Sequence, residues 1–91
     1  MLTTRIKYDV MLNDRYYATM TSVIPFKLCE NGGGEVAKEI NFDDIEEDVI
    51  KRLPTLRNKN FKIELWKQTI QSISQKGLKS TRNNLPNIIL Y

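Results

Sequence analysis

Near the start of the chain Ile6, Tyr8, Val10 and Leu12 alternate with Arg5, Lys7, Asp9 and Met11. A period of two belongs to a strand with one face buried and the other in water, and no helix can be built from it. The stretch runs through Asn13, Asp14 and Arg15 into YYATMTSVI, which is rich in β-branched and aromatic residues. Two such runs joined by a short polar link predict a β-hairpin. The link is constrained by the faces. A two-residue loop at Asn13–Asp14 places Leu12 opposite Arg15 and Tyr8 opposite Thr19. A three-residue loop places Leu12 opposite Tyr16, Val10 opposite Ala18, Tyr8 opposite Met20 and Ile6 opposite Ser22. The second register gathers the apolar groups on one side, and a slip of one residue undoes it, so the three-residue loop is expected. No glycine stands there for the left-handed position such loops favour. In this register Tyr17 points away from Tyr16 and shares the outer face with Arg5 and Lys7.

Pro25 interrupts or ends the second strand. Gly32 to Gly34 then mark a flexible connection between PFKLC and EVAKEI, read as a second hairpin tip. The stretch INFDDIEEDVIKRLP carries the pattern of a helix: Ile45, Val49 and Leu53 recur at i, i+4 and i+8 with Ile50 beside them. Asn41 suits the N-cap with Asp44 at N3, and Ile40 and Ile45 form the flanking apolar pair; Asp43 with Glu46 is the competing cap. Acids open this helix, Lys51 and Arg52 close it, and Pro54 stops it. NFKIELW alternates again, with Phe61, Ile63 and Leu65 on one face and Lys62, Glu64 and Trp66 on the other. Trp66, Ile70 and Ile73, with Gly77 beyond, predict a second helix over about residues 67–76, weakened by Thr69, Ser72 and Ser74. KGLKSTRNNLPN reads as loop. NIILY is an apolar end that needs burial, as an extra strand or against a partner. The expected fold is α+β: a small antiparallel sheet, made of the N-terminal hairpin plus a later strand, packed on one or two helices. Residues 1–91 form a single domain, with 78–91 a loop plus terminal strand or a partner-docking tail.

The chain is 41% hydrophobic and 27% charged, in the range of a folded domain. Its one cysteine, Cys29, cannot close an internal disulfide, which leans towards a reducing compartment. No apolar run has the length of a signal or a membrane span, so a cytoplasmic protein is the expectation. Charge is spread unevenly. Residues 1–50 hold five Lys/Arg and ten Asp/Glu, and residues 51–91 hold nine and one, a split of −5 and +8. Such asymmetry points to a polyanion partner or to acidic–basic pairing.

The chain has no histidine, which removes the commonest general base and metal ligand. Cys29 has no activating partner and reads as a small hydrophobe or inert thiol. DDIEED lacks the spacing and central glycine of a calcium loop and reads as a solvated helix start. NGGGE lacks the lysine and the strand-to-helix setting of a phosphate loop. Glu64, the sole acid of the basic half, reads as a surface carboxylate beside lysines. No catalytic, cofactor or metal residue is assigned, and the chain is expected to be non-enzymatic with no cofactor and no small-molecule substrate.

Two binding surfaces compete. Arg57, Lys59, Lys62, Trp66, Lys67, Lys76, Lys79 and Arg82 form a candidate polyanion surface, since cations that track a backbone beside a stacking ring hold single-stranded nucleic acid. The same lysines also serve solubility alone, and Trp66 reads first as the anchor of the following helix. Arg15 and Tyr17 mark a smaller patch at the hairpin. Ile88, Ile89, Leu90 and Tyr91 form a candidate protein interface. The modest total charge and the acidic first half weaken an electrostatic footprint. The preferred expectation is a protein-interaction or regulatory module, with self-association as one form, and a nucleic-acid-binding accessory protein is the alternative.

Overall fold

A computed structural model of the chain describes residues 2–30, 33–71, 73–74 and 87–89. The domain is α+β, as the alternating stretches and the capped helix require. Among the described residues five strands form one curled sheet in the order β3-β2-β1-β4-β5. They are β1 (Thr3–Leu12), β2 (Arg15–Glu30), β3 (Val36–Ile40), β4 (Phe61–Trp66) and β5 (Asn87–Ile89). All pairings are antiparallel except that of β4 with the short β5. Between β3 and β4 lie α1 (Phe42–Arg52) and a 3-10 turn at Pro54–Leu56; after β4 comes α2 (Lys67–Ile70).

The β1–β2 hairpin reconciles the two registers in an unforeseen way. Leu12 pairs with Arg15, so the loop is the two-residue Asn13–Asp14 and not the expected three residues. Both loop residues take positive φ, 52° and 60°. That is the geometry whose twist matches paired strands, and Asn and Asp tolerate it without glycine. The register then shifts: Met11 pairs with Tyr16 but Val10 pairs with Ala18. Tyr17 is the extra residue of a β-bulge. Beyond it Tyr8 meets Met20 and Ile6 meets Ser22, as the apolar faces demand. The bulge thus satisfies both the turn and the core. It also moves Tyr16 onto the outer face, opposite Met11, which corrects the expected placement of the two tyrosines.

β2 is not ended by Pro25. Thr3 pairs with Pro25, and the Phe26 amide donates to the Leu2 carbonyl at 3.1 Å. Alternation therefore turns the Pro25 nitrogen towards the β3 side, where the pairing stops at Phe26–Ile40. A proline costs no ladder bond at that point. The second hairpin pairs Phe26 through Glu30 with Ile40 through Val36. Gly34, at φ 79°, supplies the left-handed residue before β3.

Ile6, Tyr8, Val10, Ile24, Ile40, Phe61, Ile63 and Leu65 from the inner face of the sheet are buried with Phe42, Ile45 and Val49 of α1 and with Leu56 and Ile73. Burying each large side chain contributes roughly 1.5–3 kcal/mol. α1 begins as its sequence requires: Asn41 is the N-cap, and its Oδ1 accepts from the Asp43 amide at 3.0 Å. Ile40 and Ile45 are both buried, and Ile50 and Leu53 pack at the edge. Glu46 also lies on the buried face, which the apolar stripe alone does not foretell.

A polar cluster ties α1 to the hairpin. The Tyr8 hydroxyl lies 2.6 Å from Ser22 Oγ, and Ser22 Oγ donates to Asp48 Oδ2 at 2.6 Å. Since that donation uses the only serine hydroxyl proton, Tyr8 must donate to Ser22. Arg52 Nη2 bonds Ser22 Oγ, Asp48 Oδ2 and the Thr21 carbonyl. Burial raises the Tyr8 hydroxyl above its ordinary pKa, with the Ser22 hydrogen bond and the Arg52 charge opposing.

The second helix is far shorter than residues 67–76. It stops after Ile70, and Ile73 instead forms a parallel bridge to Lys38 on β3. The Ser74 amide donates to the Lys38 carbonyl at 2.7 Å. Ile73 is buried there, so tertiary burial overrides a helix already weak in propensity and without a side-chain cap. Gly77, the expected cap, lies outside the described residues. The bridge brings the chain after α2 to the free edge of β3 and partly closes the curled sheet. The curl is strong enough for Lys38 Nζ to reach over β2 to Thr4 Oγ1, at 3.1 Å.

Candidate functional site

On the outer face of the sheet a second polar cluster mirrors the first. Asp9 is 6% exposed although it points away from the core. Its Oδ1 accepts from the Thr19 hydroxyl at 2.8 Å and from Trp66 Nε1 at 3.1 Å. The Tyr16 hydroxyl lies 2.9 Å from Thr19 Oγ1 and, by the same proton count, donates to it. Lys7 Nζ stands 4.2 Å from the centre of the Trp66 ring. Trp66 is therefore pinned at the strand-to-helix junction by a hydrogen bond and a cation–π contact. A nucleobase stacking on the face that Lys7 covers would have to displace the ammonium.

The basic set is divided rather than gathered. Arg57 and Lys59 are exposed in the turn that enters β4, and Lys62 is exposed on the outer face of β4 with Nζ 3.5 Å from Asp14 Oδ1. Lys67 is exposed at the other end of β4. Five residues of near-extended chain separate Lys62 from Lys67, roughly 16 Å. Lys76, Lys79 and Arg82 lie outside the described residues. The outer face of β1 and β4, with the turn at its end, is electrically balanced: Arg5, Lys7 and Lys62 stand against Asp9, Glu64 and Asp14. A continuous basic track along β4 is not what the strand displays.

Arg15, expected in a separate patch, is brought by the fold to the Lys62 end of β4. Leu12 pairs with Arg15 on one side and with Phe61 on the other, and Met11 likewise lies between Tyr16 and Lys62. The signal existed only in the pairing of β1 with β4, which no local pattern in the sequence announces.

The opposite end of β2 is apolar. Leu2, Leu28 and Val36 are 56%, 61% and 66% exposed. Leu2 stands beside Phe26, Leu28 follows Phe26 on the same face, and Val36 pairs with Glu30. Pairing and alternation place all four on the inner face, as a continuation of the core past the reach of α1. The candidate interface at Ile88 and Ile89 takes the extra-strand alternative in its backbone, which pairs with Leu65 and Trp66. Leu90 and Tyr91 lie outside the described residues.

Between β2 and α1 a shallow open groove is lined by Val23, Pro25, Asp44, Glu47, Asp48 and Lys51, and Asp48 in it is engaged by Ser22 and Arg52. Cys29 donates to the Ala37 carbonyl at 3.4 Å, within the second hairpin. Among the described residues no group of three or more His, Cys, Asp or Glu is placed to hold a metal ion, and no helix is long and apolar enough to cross a membrane. Compared with family models, curated proteins and solved structures, the chain finds no match.

Proposed function

We propose that the protein is a small non-enzymatic interaction module whose partner is another protein surface, docked on the apolar end of the β2–β3 hairpin. One observation carries this reading: Leu2, Leu28 and Val36 are more than half exposed on a face continuous with the core. Apolar side chains grouped in this way mark protein contact sites, whereas scattered ones do not. On that face Lys38 pairs with Leu28 and Glu30 with Val36, while Lys27 and Glu39 pair on the other face. A rim of both signs suits a copy of itself, because a two-fold interface sets each patch against its own duplicate. A second copy of the chain is therefore the first partner to test.

The test is light scattering over a concentration series, together with a photo-crosslinking residue at position 28 and, as a control, at position 62. Self-association gives a mass rising from 10.6 kDa towards about twice that, a Leu28→Lys variant that stays monomeric, and crosslinks from position 28 alone. A monomer that yields a protein adduct in cells from position 28, but not from 62, replaces the second copy by a different protein. A monomer with no adduct from position 28 defeats the reading. Deleting residues 86–91 asks separately whether the terminal strand takes part.

A further inference from the structure

We infer that the hairpin end of the sheet is a binding site for single-stranded nucleic acid, built from Arg15, Tyr16, Arg57, Lys59 and Lys62. This site is distinct from the apolar end of β2 and does not depend on it. Register brings Tyr16 and Lys62 together on the outer face and sets Arg15, opposite Leu12, on the other face of the same sheet end. The Cα atoms of Arg15 and Phe61 flank Leu12 on either side, two strand spacings or roughly 10 Å apart. Tyr16 and Lys62 flank Met11 in the same way and share the outer face. Arg57 and Lys59 occupy the turn just before Phe61, where their amides donate hydrogen bonds to the Pro54 and Leu56 carbonyls. All four cations are exposed, and Asp14 is the one carboxylate between residues 13 and 17 or 57 and 62. Its ion pair with Lys62 is long at 3.5 Å and open to water, so it competes weakly with a phosphate.

The aromatic component separates this end from an ordinary solvated face. Tyr16 is 63% exposed, yet its hydroxyl is held by Thr19, so the ring is oriented while much of it stays in water. An oriented ring beside cations that follow a backbone is the arrangement that stacks a base and holds its phosphates. Trp66, the ring singled out by the sequence, is not part of the site: it lies at the far end of β4, under Lys7.

The experiment is fluorescence anisotropy of a labelled oligothymidylate of about 20 nucleotides titrated with the whole chain, each variant first checked for native thermal unfolding. With about four phosphates neutralised, affinity should fall roughly 50-fold between about 50 and 200 mM salt. Arg57→Glu and Arg15→Glu should each weaken binding about tenfold and flatten the salt slope by about one unit. Tyr16→Ala should weaken it by between about fivefold and a hundredfold. Lys27→Glu makes the same charge change at the other end of β2 and should leave affinity within about twofold. Absence of binding at about 50 mM salt overturns the proposal, as does a Lys27→Glu loss equal to that of Arg57→Glu. Equal displacement by polyglutamate, with Tyr16→Ala inert, overturns it in favour of a generic polyanion contact.

Discussion

The two ends of β2 are made by one strand and behave differently. At the Arg15 end a tight turn, a bulge and a paired β4 leave the apolar residues covered, and what reaches solvent is cationic and aromatic apart from Asp14. At the Glu30 end β2 has passed from β1 to β3, α1 no longer lies beneath it, and inward-facing Leu28 is 61% exposed. The difference comes from the cover and not from the strand, since alternation continues through Pro25. A strand longer than its core presents the core's own chemistry to water where the cover ends. That is a surface for another protein, whereas the covered end is free to carry charge.

The strongest way to break this comparison is to truncate one apolar residue at each place. Leu65→Ala, in the covered centre, should cost about 2–5 kcal/mol in urea unfolding. Leu28→Ala should change stability by no more than about 0.5 kcal/mol in monomer. Equal costs would mean that the Glu30 end is as well packed as the centre. Next in size is Ser22→Ala, which strips a partner from Tyr8, Asp48 and Arg52 together and should cost about 1–3 kcal/mol. A cost near zero would show that α1 is held by its apolar face alone. The same cluster makes an alkaline prediction. Tyr8 titrates higher folded than unfolded, so its contribution is complete below the ordinary value of 10.0 and is lost as pH rises past it. Stability should fall above that pH, and less steeply in Tyr8→Phe. The smallest effect is at the tip. Asp14→Gly relieves a positive φ and removes a weak ion pair, a net gain of about 0.5 kcal/mol. The same change should tighten oligonucleotide binding at the Arg15 end while leaving self-association untouched.

Much of the core was legible, because it is written locally. The alternations at Ile6–Leu12 and Phe61–Leu65 and the capped helix at Asn41 each needed only a short window. The register beyond the turn was legible too, since the apolar faces admit one solution. The two-residue loop was not legible because a bulge can absorb a residue, and no sequence pattern at Tyr17 announces one. The end of the second helix was not legible because Ile70 and Ile73 fit a helical stripe, whereas Ile73 forms a bridge to a strand 35 residues earlier. The candidate sites were the least legible. Lys62 and Trp66 share a face, as expected, but the partners of each come from β1 and the turn after it: Asp14 for Lys62, Asp9 and Lys7 for Trp66. Asp9 gave no sign of burial, because on an alternating strand it occupies a solvent position.

The most direct test of two surfaces at two ends is an amide NMR map of the chain, recorded dilute, concentrated and with oligothymidylate. The account predicts that the oligonucleotide moves signals at 13–17 and 57–62 and leaves 26–30 and 36–38 in place. Raising protein concentration should do the reverse. If both titrations move the same residues, or the oligonucleotide moves those of the Glu30 end, the assignment of one chemistry to each end of β2 is contradicted.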